Sequence, residues 1–222
     1  MKNFPSLCID NFYNDPDSIR NFALSQEYQA NPEGKWPGKR TIDISLIDSN
    51  FAQEFNKKIF SIYFDIFKTT ISYKISSFFQ KIEPYDDDPN SIKNSGWIHF
   101  DDAIFAGIIY LNKSNNSNNG TILYDIIDKD LYDSHQLAKK TFYQNKDVDD
   151  YEKLLKQHNN NFIETVRYNN KYNRLISFDS EVAHKANNFY LGDEPRLTQV
   201  FFVENLEVES GLTPLHKSRN FL

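Results

Sequence analysis

Apolar positions along the first seventy residues recur at helical spacing, and from about Ile71 onward they alternate as strands do. Asn14-Asp15-Pro16-Asp17 predicts a helix start, with an Asp cap and a proline at the first helical position. Ile19, Phe22, Ala23 and Tyr28 continue that face until Asn31-Pro32-Glu33-Gly34 breaks it, and Trp36-Pro37-Gly38-Lys39-Arg40 reads as a turn. Thr41 to Ile47 alternates like a strand. Asp48-Ser49-Asn50 then caps a second helix carrying Phe51, Phe55, Ile59, Ile62, Ile66 and Phe67.

Beyond that point the predicted strands are Ile71 to Phe79, Gly96 to Asp101, Ala103 to Leu111, Thr121 to Ile127, Phe162 to Tyr168, Arg174 to Phe178, Glu181 to Asn187 and Arg196 to Val203. Ala103 to Leu111 and Thr121 to Ile127 are expected to pair, joined by a flexible Asn/Ser-rich hairpin loop from Asn112 to Gly120. Many short strands with polar connections predict a mainly β sandwich, jelly roll or barrel with flanking helices. Charged, helix-compatible sequence from Lys129 to Asn161 interrupts the strands as an insertion, a length typical of lids and partner surfaces. The expected organisation is one domain over 1–222: support to 70, a core over 71–205 holding the insertion at about 129–161, and a tail over 206–222.

Composition narrows the function classes. Aromatic residues make up 15% of the 222, enough bulk to fill the core of one domain. The net charge of −6 argues against non-specific nucleic-acid binding. A single cysteine, Cys8, excludes an intramolecular disulfide and a cysteine-based zinc site. The start lacks the apolar run of a signal peptide, and the longest apolar stretch, Ala103 to Leu111, is too short for a membrane span. A soluble cytoplasmic protein is expected.

Candidate chemistry concentrates in three places. In Trp97-Ile98-His99-Phe100-Asp101, positions two apart share one face of an extended chain, so His99 and Asp101 can address one ion while Trp97 walls the same side. His184 follows the apolar run Leu175 to Phe178 and can supply a third ligand from a distant strand. Two histidines and one carboxylate are the ligand set of a non-haem Fe(II) site with open positions. His135, His158 and His216 lie in the insertion and tail and are expected to be solvated. On the last strand Arg196, Thr198, Val200 and Phe202 share a face, and a guanidinium entering that apolar interior needs an anion. A bound diacid would supply it, with the Thr198 hydroxyl as a second donor.

The order His99-x-Asp101, Tyr110-Leu111-Asn112, Asn119-Gly120-Thr121, His184 and Arg196-x-Thr198 resembles the Fe(II)/2-oxoglutarate-dependent dioxygenases, most of all their prolyl-hydroxylase-like branch. Asn119-Gly120 stands where that branch usually has two glycines. The resemblance implies a double-stranded β-helix, a cupin-like jelly roll with N-terminal helices and a helical insertion. It also implies that Fe(II) is held by His99, Asp101 and His184. Arg196, Thr198 and Tyr110 would then bind the 2-oxoglutarate co-substrate, with O2 as oxidant. A peptide side chain or small metabolite is the implied substrate, hydroxylated at an unactivated C–H with release of succinate and CO2. Two alternatives stand beside it: a non-catalytic jelly-roll binding module, and a nucleic-acid demethylase of the same superfamily.

Overall fold

Capping aspartates set the helices at the N-terminal end. In the computed structural model, which describes residues 4–113, 117–127 and 136–209, strand β1 (Leu7–Ile9) precedes helix α1 (Pro16–Leu24). The Asp15 carboxylate accepts from the Ser18 amide, satisfying one of the helix's free N–H groups. The short strands β2 (Gln29–Ala30) and β3 (Lys39–Arg40) lead to helices α2 (Ile44–Ile47) and α3 (Ser49–Tyr63), the latter capped by Asp48. The chain continues through β4 (Ile71–Ile82), β5 (Phe105–Tyr110), β6 (Thr121–Ile126), α4 (Gln136–Tyr143) and α5 (Tyr151–Asn159). It ends with β7 (Phe162–Tyr168), β8 (Leu175–Asp179), β9 (Ala183–Ala186) and β10 (Arg196–Val208).

Among the described residues the strands form two sheets: a major one in the order β1-β8-β5-β10-β4-β3-β2, and a minor one in the order β7-β6-β9. Each strand of the major sheet presents alternate residues to opposite faces, and both faces are apolar. Phe79, Phe105, Ile109, Leu175 and Phe201 face outward onto Phe55, Ile59, Phe60 and Tyr63 of α3. Burying one such side chain contributes about 1.5–3 kcal/mol, so α3 is held by its packing rather than by helix propensity. Ala106, Tyr110, Ile176 and Phe178 face inward and meet Leu123 of the minor sheet. This is the jelly roll that the strand pattern predicts, closed at one end by the inner core and open at the other.

Several expectations are corrected. Thr41 to Ile47 is not a strand, because Asp43 accepts from the Ser45 amide and caps α2, leaving Ile42 and Leu46 exposed. Ile66 and Phe67 fall beyond α3, with Phe67 in solvent. Gly96 to Asp101 runs extended but pairs only at one isolated bridge. β10 continues to Val208, five residues past its predicted end, and buries Leu206.

Ala103–Leu111 and Thr121–Ile127 do not pair. β5 lies between β8 and β10 in the major sheet, whereas β6 lies between β7 and β9 in the minor one. Their connection therefore crosses from sheet to sheet, and its described ends are pinned. Asn112 is buried, its Oδ1 accepting from the Leu197 amide at 2.7 Å and its Nδ2 donating to the Pro195 carbonyl. Asn119 is buried too and donates to the Tyr190 carbonyl.

Candidate metal centre and its cavity

His99 and His184 are directly opposed across the gap between the extended segment and β9. Each amide donates to the other's carbonyl, at 3.0 and 2.9 Å. In an antiparallel pair, opposed residues project to the same side, so both imidazoles enter the interior together. Asp101, two residues past His99, follows them. His99 Nε2 lies 3.7 Å from Asp101 Oδ1, and His184 Nε2 lies 3.3 Å from Asp101 Oδ2. One ligand atom from each residue falls within 4.8 Å of the other two, a spacing one ion can span.

The backbone also sets the tautomers. His99 Nδ1 is 2.8 Å from the Trp97 carbonyl, and His184 Nδ1 is 3.0 Å from the Val182 carbonyl. A carbonyl oxygen only accepts, so each Nδ1 carries a proton and each Nε2 is the ring atom turned toward Asp101. Burial, with His184 and Lys139 nearby, holds the His99 pKa well below the usual imidazole value and keeps it neutral. Burial would raise the Asp101 pKa, but His184, His99 and Arg40 outweigh it and keep the carboxyl below the ordinary carboxylate range. A neutral His99 imidazole and an ionised Asp101 carboxylate thus stand beside the His184 ring. This donor set suits a divalent first-row metal.

The three residues stand in the wall of a cavity of about 360 Å³. Arg196 lines it, 2% exposed, with no carboxylate partner among the described residues. Its Nε donates to the Asn119 carbonyl at 3.3 Å, its guanidinium lies 5.5 Å from the Tyr110 ring centroid, and its Nη2 has no acceptor among the described residues. Burial lowers its pKa, with Tyr110 acting in the opposite sense. Thr198 Oγ1 is likewise buried without a partner there. Tyr110 pairs in register with Thr198, and its hydroxyl donates to Thr121 Oγ1 at 2.8 Å. Tyr110 thus lies beside Arg196, with Thr198 opposite it in the sheet, while Thr121 lines the cavity.

A bridged histidine pair, a facing carboxylate and an unpaired guanidinium therefore share one cavity. The chain belongs to the family of unknown function DUF6445. The family model matches residues 2–188, a span that includes all three candidate ligands and stops short of Arg196. No curated protein matches the sequence of this DUF6445 member. Among solved structures it is similar to HygX from Streptomyces hygroscopicus with nickel and 2-oxoglutarate bound, at 9% identity and a TM-score of 0.53, over 90% of this chain and 83% of that one. It is also similar to a prolyl hydroxylase from Trichoplax adhaerens in complex with a hypoxia inducible factor peptide fragment, at 12% identity and a TM-score of 0.52, with the same coverage. These likenesses establish the fold as the jelly roll of the 2-oxoglutarate oxygenases.

Side-chain parity in the sequence places Trp97 on the cavity wall, and the structure agrees. Trp36, Lys39 and Arg40 read in the sequence as able to border the entrance, with Pro37-Gly38 a plain turn; Trp36 and Arg40 do line the cavity and so does Pro37, while Lys39 is exposed. Lys139 of the insertion carries no signal in the sequence; it is buried and lines the same space. His158 is corrected from solvated to buried, its Nε2 2.7 Å from the Ile98 carbonyl. His135 and His216 lie outside the described residues. No described helix is long and apolar enough to cross a membrane.

Proposed function

We propose that this DUF6445 protein is an Fe(II)- and 2-oxoglutarate-dependent oxygenase that hydroxylates an unactivated C–H of a peptide side chain or small metabolite, forming succinate and CO2. The observation that carries this reading is the pairing, in one cavity, of the His99/Asp101/His184 cluster with a buried guanidinium that lacks an anion.

The three ligands would occupy one face of an octahedral ion and leave three positions open. Fe(II) with 2-oxoglutarate supplies the oxidising power there by reductive activation of O2. This chain's own residues position and shield. Arg196 would hold the distal carboxylate of 2-oxoglutarate, and that dianion would compensate the buried positive charge. Arg196 Nη2 is the unpartnered donor of a residue that lines the cavity, the orphan such a carboxylate would satisfy, with Thr198 Oγ1 a further unpartnered hydroxyl on the same face of β10. The Tyr110–Thr121 hydrogen bond fixes the ring beside the guanidinium. Trp97, Phe178 and Phe189 would give the wall an apolar side that keeps water off the reacting carbon. The volume is near the lower end of the ~300–1,000 Å³ usual for small-molecule sites. It admits the co-substrate and one side chain or compact metabolite.

The test is succinate formation from 2-oxoglutarate by anaerobically purified protein given Fe(II) and O2, beside a His184→Ala control, with 2-oxoglutarate binding to the metal-loaded protein measured on the same sample. Iron-dependent release, absent from the control, is expected. Absence of both turnover and binding would overturn the assignment. Arg196→Ala is expected to raise the 2-oxoglutarate requirement at least ~10-fold, the scale of a lost charge-assisted pair. An unchanged requirement would make Arg196 structural.

A further inference from the structure

Two cations in the cavity are not used by the metal or the co-substrate. Arg40 reaches it from β3, and Lys139 reaches it from α4 of the insertion. Neither forms an ion pair among the described residues. The Arg40 guanidinium sits among three rings, with its centre 4.5 Å from the Trp36 centroid, 5.3 Å from Phe202 and 5.7 Å from Phe78. Among the described residues its only side-chain hydrogen bond is a long one of 3.5 Å to Gln80 Oε1, and its Nε has no acceptor. Lys139 is 8% exposed and makes no hydrogen bond to a described residue. Arg40 is half-buried and Lys139 buried, and desolvation, which penalises each charge, lowers their pKa values to about 10 and about 8.

The surrounding charges do not relieve this penalty. Asp101 acts on both cations, but it is committed to the candidate metal. Asp102 lines the cavity from an exposed position and pairs with neither. Lys35, also on the wall, is itself paired with Glu33. On the oxygenase reading, a divalent metal, the Asp101 carboxylate, Arg196 and a 2-oxoglutarate dianion sum to zero. Arg40 and Lys139 are then left as two uncompensated positive charges beside the open face of the site. Buried unpaired cations are expensive, and their retention calls for an anionic ligand.

We infer that the prime substrate carries an oxyanion, a carboxylate or a phosphate, which Arg40 and Lys139 hold while its reacting carbon faces the metal. Trp36 and Phe202 flank the position, so the atoms next to that anion are flat or apolar. The insertion thereby gains a definite role, since α4 brings one of the two substrate-recognising charges. This inference rests on the oxygenase reading for the reaction that follows binding, although the anion subsite can be tested without turnover.

Calorimetry on the Ni(II)-loaded protein, saturated with 2-oxoglutarate, would be run with inorganic phosphate and separately with acetate. The comparison set is wild type, Arg40→Gln, Lys139→Gln and the charge-preserving Arg40→Lys and Lys139→Arg. One anion per chain is expected to bind wild type, at least ~10-fold more weakly to each Gln variant and within a few-fold of wild type to the charge-preserving pair. Tighter phosphate than acetate identifies a phosphorylated substrate, and the reverse a carboxylate. No anion binding to wild type, or equal binding to the Gln variants, overturns the subsite. Loss of 2-oxoglutarate binding in the Gln variants would also overturn it, by assigning both cations to the co-substrate. If wild type binds phosphate through Arg40 and Lys139 but never binds 2-oxoglutarate, the oxygenase reading fails and the anion subsite stands.

Discussion

Side-chain placement in this cavity follows from charge that is buried before any ligand arrives. Lys139 illustrates the cost. Its folded pKa of about 8 lies below the ~10.4 of an unfolded lysine, so between those values the unfolded chain binds more protons. Stability from this group therefore rises as pH climbs through that window, and at neutral pH the penalty is fully present. Lys139→Met is expected to raise the melting temperature of the ligand-free protein at pH 7 by a few degrees, and to flatten the rise between about pH 8 and the unfolded value. A lower melting temperature in scanning calorimetry would mean that the ammonium has a stabilising partner. At this scale the clustering of His99 with Asp101 is legible in the sequence because side-chain parity in an extended chain is fixed at two. Arg196 is legible because a guanidinium on an apolar strand face has few explanations. Lys139 and His158 are not. A charged, helix-compatible segment looks solvated in sequence, and only its docking over Trp97 reveals which residues turn inward.

Among the elements, the strands are legible and the connections are not. The apolar pattern finds β4, β5, β8 and β10 because both faces of the major sheet are apolar and both positions of the pleat carry signal. It fails at Thr41 to Ile47, where a single Asp43 cap outweighs the alternating pattern. It fails again between β5 and β6, since nearness in sequence suggests a hairpin while the buried Asn112 and Asn119 direct a crossing. Gly120 is the tight point of that crossing. A Cβ there would stand 1.7 Å from the Tyr168 carbonyl oxygen, so backbone would have to move. Gly120→Ala is expected to cost more than ~2 kcal/mol in urea unfolding, in the range of overpacking at a rigid site. It should also weaken 2-oxoglutarate binding, because the Asn119 carbonyl beside it orients Arg196. A stability change under ~0.5 kcal/mol, the usual range for a substitution that touches nothing, would show that the crossing adjusts freely.

Over the whole molecule, the insertion is a clasp on the extended segment that carries His99. Tyr143 Oη accepts from the Trp97 amide at 3.2 Å, Tyr151 Oη accepts from the Trp97 indole at 3.1 Å, and His158 approaches the Ile98 carbonyl. Three residues of α4 and α5 thus grip the two positions preceding His99. On the other side of the molecule α3 packs on the outer face of the major sheet, and none of its described residues lines the cavity. Tyr151→Phe would leave the buried Trp97 indole N–H without an acceptor, at about 1–3 kcal/mol. It is expected to lower stability by that amount and to weaken Ni(II) binding measured by calorimetry, although Tyr151 touches no ligand. Unchanged Ni(II) affinity would show that the clasp holds the insertion without tensioning the site.

The mutual backbone bonds of His99 and His184 have a kinetic consequence. Both amide protons are held by the other ligand's carbonyl, so neither can exchange with solvent while the pair is closed. An ion held by the two imidazoles would tie the same segments a second time. Deuterium uptake at these two amides thus becomes a clock for opening of the centre, one that runs without catalysis, a chromophore or any knowledge of the substrate.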